Sequence, residues 1–123
     1  MTATATRRVL IVDDAEELRV LLRLFMDRSS RLEVVGEAVD GLDGVEQARA
    51  LQPDVVVLDI AMPRMDGLQA LPLIREAAPD VCVVVLSGFA ESTMSDQARQ
   101  AGADHYVVKG RPLAELVVLL ESI

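Results

Sequence analysis

Val55-Val56-Val57-Leu58-Asp59, entered through Pro53-Asp54 and left through Ile60-Ala61-Met62-Pro63-Arg64-Met65-Asp66-Gly67, decides how the rest of the chain reads. Four apolar residues in a row, three of them β-branched valine, predict a strand buried on both faces, the kind found in the middle of a parallel sheet. Asp59 is an acid set where that strand leaves the core, and loop chemistry follows at once in Met62-Pro63 and Asp66-Gly67. In open parallel sheets, ligands bind outside the carboxyl ends of the strands. Asp59 therefore stands where chemistry is expected. The competing reading is an acid that only marks the strand end and points to water.

On the amino-terminal side, Val9-Leu10-Ile11-Val12 is a short aliphatic run closed by Asp13-Asp14. Residues 15–28 carry Leu18, Leu21, Leu22, Phe25 and Met26 as a helical stripe, with Glu16 and Glu17 in the first turn, where the macrodipole favours acids. Arg19, Arg23 and Glu16 read as a solvated face of that helix. Residues 32–38 form a weaker strand interrupted by Glu33 and Glu37, which places it at a sheet edge. Residues 41–51 predict a helix through Val45, Ala48 and Leu51, stopped by Pro53. Beyond the opening strand, Asp66 is a candidate N-cap for a helix to about residue 78, which Pro72 is expected to kink. Val81-Cys82-Val83-Val84-Val85-Leu86 is a fourth strand, ended by Ser87-Gly88. Residues 91–101 give a poor helix, crowded by Ser92, Thr93, Ser95 and Asp96, whose low propensity predicts a mobile element. Residues 104–108 make a fifth strand with Lys109 after it, and Pro112 opens a last helix. Five strand–helix repeats with short connections predict one α/β domain over residues 1–123, a parallel sheet covered on both faces.

Bulk properties narrow the possibilities. A chain of 123 residues, 51% hydrophobic, has apolar surface enough for a core, and with 2% aromatics that core must be aliphatic. The net charge of −8 argues against binding of nucleic acid by this chain, since phosphate backbones need a basic patch. One cysteine, Cys82, rules out an internal disulfide and reads as a small buried hydrophobe in a reducing compartment. No apolar run approaches the roughly 18–20 residues of a membrane span, and residues 1–8 lack a signal-peptide core, so a soluble, cytoplasmic protein is expected. Eleven of the 12 basic residues are arginine; Lys109 is the only lysine. Its compact ammonium does what the planar guanidinium does not.

The strand ends share a chemistry. The first closes in Asp13-Asp14, the third in Asp59, the fourth in Ser87 and the fifth in Lys109. Right-handed crossovers bring these ends to one edge of the sheet. If the first strand neighbours the third, the three acids converge. Two unit charges about 4 Å apart repel by about 4 kcal/mol at an effective dielectric of about 20, so something positive must balance them. A hard divalent cation suits an all-oxygen site, and Mg²⁺ takes one or two carboxylates plus waters and phosphate oxygens. A carboxylate nucleophile, a cation, a lysine and a hydroxyl together describe phosphoryl transfer.

Asp13-Asp14, Asp59 through Pro63 with Met65-Asp66-Gly67, Ser87-Gly88, and Ala101-Gly102-Ala103-Asp104 leading to Tyr106 and Lys109 closely resemble the receiver domain of two-component response regulators, over nearly the whole chain. The resemblance implies a doubly wound, flavodoxin-like (βα)5 fold with strand order 2-1-3-4-5. It implies that Asp59 accepts a phosphoryl group from a phosphohistidine on a sensor histidine kinase. It further implies that Asp14 ligates Mg²⁺ directly, that Asp13 acts through water, and that the Ala61 carbonyl completes the protein ligands. Ser87 and Lys109 would hold the phosphoryl oxygens. Ser87 and Tyr106 would form the switch, with the aromatic ring moving inward behind the hydroxyl. Tyr106 and Lys109 lie an odd number of residues apart, which puts them on opposite faces of their strand; the plain alternative for Tyr106 is a packing aromatic. In this family the first helix docks the kinase, which makes Leu18 and Leu22 docking candidates if exposed. A homodimer through the fourth helix, fifth strand and fifth helix is implied by the same resemblance. The segment from Val34 to Gly41, with Lys109-Gly110, is most like receivers attached to helix-turn-helix output domains, hence to transcription regulation.

Two departures stand out. Gly110 follows Lys109 where the family commonly has a proline after a cis bond. A cis bond before a non-proline residue costs about 2.5–4 kcal/mol, so a trans bond and a looser loop are expected. Phe89 and Ala61, two residues past Ser87 and Asp59, pull in opposite directions on water access, so the phosphoryl lifetime is not set by sequence. His105 reads as structural or surface. The other function classes are a receiver-like scaffold that takes no phosphate, a hydrolase, and a flavin or nucleotide binder. The last would need a phosphate-cradling turn where this chain has Asp13-Asp14-Ala15-Glu16-Glu17.

Overall fold

The structure is a computed structural model that describes residues 6–89 and 91–123, without the side chains of residues 91–93. Its elements run Arg7–Val12 (β1), Glu16–Asp27 (α1), Leu32–Ala38 (β2), Gly41–Leu51 (α2), Val55–Leu58 (β3), Gly67–Ala77 (α3), Cys82–Ser87 (β4), Glu91–Ala101 (α4), His105–Val108 (β5) and Leu113–Glu121 (α5). All strand pairs are parallel, in the order β2-β1-β3-β4-β5. The expected edge position of the interrupted strand β2 and the central position of β3 are both found.

Side chains alternate across the sheet with period two, and each face has its own core. Leu10, Val12, Val56, Leu58, Val83, Val85 and Tyr106 pack on one face with Val45 and Ala48 of α2, Leu71 and Ile74 of α3, and Ala98 of α4. Val9, Ile11, Val55, Val57, Val84 and Leu86 pack on the other with Leu22 and Met26 of α1 and Leu116 and Leu120 of α5. Each fully buried Val or Leu contributes on the order of 1.5–3 kcal/mol. This two-sided burial is why β3 reads as an unbroken valine run.

Cap chemistry sets the helix starts on the site side of the sheet. The Asp66 carboxylate accepts from the Gln69 amide and the Gln69 side-chain oxygen accepts from the Asp66 amide, a full capping box for α3. Asp40 caps α2 through the Asp43 amide at 2.9 Å. As expected, Pro72 lies inside α3; it is exposed, so its missing amide is lost on the solvent side of a helix whose opposite side buries Leu71 and Ile74.

Three local expectations are corrected. Leu22 is 1% exposed and belongs to the core, so it is no docking residue; Leu18 is half-buried, and the exposed apolar residues of α1 are Val20, Leu21 and Leu24. Arg19 and Arg23 do not lie on a free solvated face. Both reach over β2 to Glu37, with Nε–Oε distances of 3.2 and 2.8 Å, because the edge strand leaves that carboxylate beside α1. Cys82 is half-buried rather than fully enclosed, since it is the first residue of β4 and sits beside the Arg75–Asp104 pair. Among the described residues no peptide bond is cis, so Lys109–Gly110 is trans as expected, and Gly110 takes a φ of +101° that suits glycine. No described helix is long and apolar enough to cross a membrane.

Candidate functional site

Strand register brings the acids together. Val12 of β1 lies opposite Leu58 of β3, so the next residues, Asp13 and Asp59, leave the sheet side by side. The Asp59 amide still donates to the Val12 carbonyl at 2.9 Å, which fixes the stagger. Oxygens of Asp13, Asp14 and Asp59 lie within 4.8 Å of one another, a group that could hold a metal ion. Asp13 and Asp59 are buried, while Asp14 is exposed.

Lys109 arrives from the other side. Its amide donates to the Ser87 carbonyl at 2.7 Å, which extends the β4–β5 pairing by one residue past Val108. Its ammonium then spans both buried acids, 3.2 Å from Asp13 Oδ2 and 3.2 Å from Asp59 Oδ1. Asp59 Oδ1 also accepts from the Ile60 amide at 2.9 Å. Asp13 Oδ1 accepts from the Ala15 amide at 2.8 Å, and Arg19 holds the Asp13 carbonyl at 2.6 Å. Both oxygens of Asp13 are thus engaged. The described residues place no hydrogen bond on Asp14 or on Asp59 Oδ2.

One cation facing three acids leaves negative charge uncompensated. Burial, then the neighbouring Asp13, raise the Asp59 pKa above the ordinary aspartate value, against the opposing pull of Lys109. Burial alone would lower the Lys109 pKa, but Asp13 and Asp59 outweigh it and the ammonium is held more firmly than usual. Charge neutralisation at the acids is the outstanding need of the site.

Ser87 is fully buried at the end of β4, and its Oγ accepts from the Phe89 amide at 3.1 Å. The Phe89 carbonyl in turn accepts from the Tyr106 hydroxyl at 2.9 Å. Ser87 and Tyr106 are therefore linked through one backbone unit. Tyr106 sits on the α2–α3–α4 face, while Lys109 lines an apolar cavity of about 240 Å³ with Leu18, Leu86 and Leu116 on the α1–α5 side. The expected separation of the two across the sheet is found. Ala61 is exposed in the loop after Asp59.

The sequence reading missed Arg19, Glu37, Asp40 and Arg64. Asp40-Gly41 carries a visible turn signal, but nothing in the sequence pairs Asp40 with Arg64.

A doubly wound parallel sheet with acids, a hydroxyl and a lysine on its carboxyl edge places the chain among α/β domains whose ligands bind at the switch point between β1 and β3. The family model for the response regulator receiver domain matches residues 9–121, and the chain belongs to that family. Phosphorylation and signal switching are characteristic of it, as are interactions with sensor kinases and with output domains or partners. The chain is 36% identical over 117 residues to the chemotaxis protein CheY of Thermotoga maritima, covering 95% of this chain and 97% of that one. It is 45% identical over 115 residues to a protein-glutamate methylesterase/protein-glutamine glutaminase of Myxococcus xanthus, covering 93% of this chain but 33% of that one. Among solved structures it is similar to the receiver domain of the putative response regulator NarL from Mycobacterium tuberculosis, with a TM-score of 0.90, 32% identity, and coverage of 96% and 95% of the two chains. Receiver domains are generally not enzymes themselves, although relatives such as the methylesterases carry an enzymatic output. The chain spans 30% of the Geobacter sulfurreducens methylesterase and 50% of the Staphylococcus aureus regulator VraR that it also matches.

Proposed function

We propose that residues 1–123 act as one receiver unit in the cytoplasm, that Asp59 accepts a phosphoryl group from a phosphohistidine of a sensor histidine kinase, and that Mg²⁺ supports the transfer. The observation that carries this reading is Lys109 bridging Asp13 and Asp59 at 3.2 Å each, with Asp59 Oδ2 left without a hydrogen-bond partner among the described residues. That oxygen attacks phosphorus as the bond to the histidine nitrogen breaks, and the electron pair leaves with the imidazole.

The donor set fits Mg²⁺. Three carboxylates and a carbonyl are hard oxygen donors, and one lysine does not balance three acids. Asp14, exposed and without a hydrogen-bond partner among the described residues, would ligate the ion directly. Asp13, with both oxygens already bonded, would act through water, and the Ala61 carbonyl would complete the protein ligands beside Asp59. When bound, the ion offsets charge on the transferring phosphoryl oxygens. Lys109 neutralises a further oxygen as a point charge, and the Ser87 hydroxyl donates to another. Drawing Ser87 toward the phosphoryl group pulls on Phe89, and through its carbonyl on Tyr106; Ser87 and Tyr106 form the switch. The chain catalyses only its own phosphorylation and dephosphorylation. Likeness to a DNA-binding response regulator of the LuxR family from Staphylococcus aureus, at 28% identity, supports a transcription-regulating output; the resemblance to the family adds a homodimer through α4, β5 and α5.

Incubation with acetyl phosphate and Mg²⁺, followed by intact mass measurement, tests the reading. One added phosphoryl group is expected on the wild type and none on Asp59→Ala or in excess chelator. Equal uptake by Asp59→Ala, or none by the wild type, overturns it.

A further inference from the structure

Among the described residues only Gln52 and Arg64 are non-glycine residues with positive φ, at 47° and 65°. Gln52 ends α2, where a left-handed residue is ordinary. Arg64 has no such excuse. It sits at the centre of a three-residue turn closed by the Met65 amide on the Pro63 carbonyl at 2.7 Å, and a positive-φ turn of that size is strained for any residue that carries a Cβ.

Something outside the turn holds it. Arg64 Nε donates to Asp40 Oδ2 at 2.7 Å, and Nη2 lies 2.5 Å from the same oxygen. The Asp40 side chain is 4% exposed, and its other oxygen caps α2. The Asp43 amide first, and then the Arg64 guanidinium, keep this carboxyl below its ordinary pKa, so it stays ionised for the pair. One residue along, the Gly41 amide donates to the Met65 carbonyl at 3.0 Å, and a Cβ on Gly41 would come within 2.3 Å of that oxygen. The start of α2 is therefore bonded to the loop 59–67 at two adjacent points. The loop's ends are fixed as well, at the Asp59 amide on β1 and at the Gly67 amide, which donates to the Ile60 carbonyl at 2.8 Å. Asp59 and Ala61 lie inside this braced segment.

We propose that Arg64 and Asp40 are positioning residues, whose ion pair holds the loop carrying Asp59 and Ala61 in one strained arrangement and so prepares it for the divalent cation. The inference rests on the reading of the acid cluster as a Mg²⁺ site. Neither residue touches the reacting atoms. A device serving only the fold would need no arginine at a left-handed position, where glycine stands without strain. Here the left-handed residue is the one whose guanidinium reaches Asp40, at 2.7 Å through Nε.

The test is Mg²⁺ titration of the full chain by calorimetry, beside thermal melts without metal. Arg64→Gly removes the strain and the pair together. Its melting temperature is expected to stay level or rise, while Mg²⁺ affinity falls by about 10-fold, the scale seen when groups that orient metal ligands are lost. Asp40→Asn keeps an oxygen for the Asp43 amide and loses the charge; the same fall is expected. The double variant should be no worse than either single one. Arg64→Lys, which keeps the charge at the same position, should recover part of the affinity. If the wild type binds no Mg²⁺, the reading of the site itself fails. If the wild type binds and Arg64→Gly binds equally well, the positioning role is overturned and the site reading stands. A fall in affinity accompanied by an equal loss of stability in Arg64→Gly also overturns it, because that is the mark of a merely structural pair.

Discussion

Neutralising Asp59 should stabilise the protein when no divalent cation is present. At 4.8 Å, the outer limit of the acid cluster, each carboxylate repels Asp59 by about 3.5 kcal/mol at an effective dielectric of about 20. Lys109, 3.2 Å away, returns about 5 kcal/mol on the same scale. Two acids against one lysine leave about 2 kcal/mol of net repulsion; screening of the exposed Asp14 reduces this, and burial of the Asp59 charge, the largest cause of its raised pKa, adds to it, so about 1–2 kcal/mol is the expected order. Asp59→Asn keeps an oxygen for the Ile60 amide and removes the charge. For a domain of this size the gain corresponds to a melting temperature about 3–10 °C higher. The pH dependence follows from the raised pKa of Asp59. Well below its unfolded value the carboxyl is protonated in both states and costs nothing. As pH rises past that value toward the higher folded one, the unfolded chain loses its proton first, so the wild type loses stability. The advantage of Asp59→Asn should therefore be small near pH 4, full at pH 7, and reduced by saturating Mg²⁺. Thermal melts at the two pH values, with and without Mg²⁺, read all three. A variant no more stable than the wild type at pH 7 without metal, or an advantage equal at both pH values, would refute the electrostatic reasoning.

Other perturbations follow from particular contacts. Gly67→Ala places a Cβ 2.2 Å from the Asp59 carbonyl oxygen, a backbone atom that cannot yield cheaply. A loss of about 3 kcal/mol or more is expected in chemical denaturation, with the site loop displaced. Tyr106→Phe leaves the Phe89 carbonyl without its donor; about 1 kcal/mol of stability should be lost, together with faster amide exchange confined to residues near Phe89. The Cys82 thiol, pushed up to about 11 by burial and then by the neighbouring Asp104, should react with thiol reagents at pH 7 far more slowly than a free cysteine, which labelling kinetics will show.

Much of this was legible in the sequence for physical reasons. Strands buried on both faces need continuous apolar runs, so β1, β3 and β4 announced themselves, and the interruption at Glu33 and Glu37 marked the edge strand. Asp13, Asp59, Ser87 and Lys109 were readable because a parallel sheet gathers strand ends on one edge, so position along the chain implies position in space. What failed was what depends on partners distant in sequence. The helical stripe of α1 marked a buried side but not which leucine lay at its rim, and Leu21 and Leu22 exchanged roles. Arg19 and Arg23 looked solvated because Glu37 lies on another element. The Arg64–Asp40 pair joins two loops, and no periodicity reports on loops.

The central claim is that Asp59 is the phospho-acceptor, and chemical mapping of the phosphorylated carboxyl tests it most directly. Wild-type protein treated with acetyl phosphate and Mg²⁺, then reduced with borohydride, converts an aspartyl phosphate to homoserine, which peptide mass spectrometry locates. The account predicts homoserine at position 59 alone. Homoserine at position 13 or 14, or phosphate retained on Ser87 with Asp59 unmodified, would contradict it.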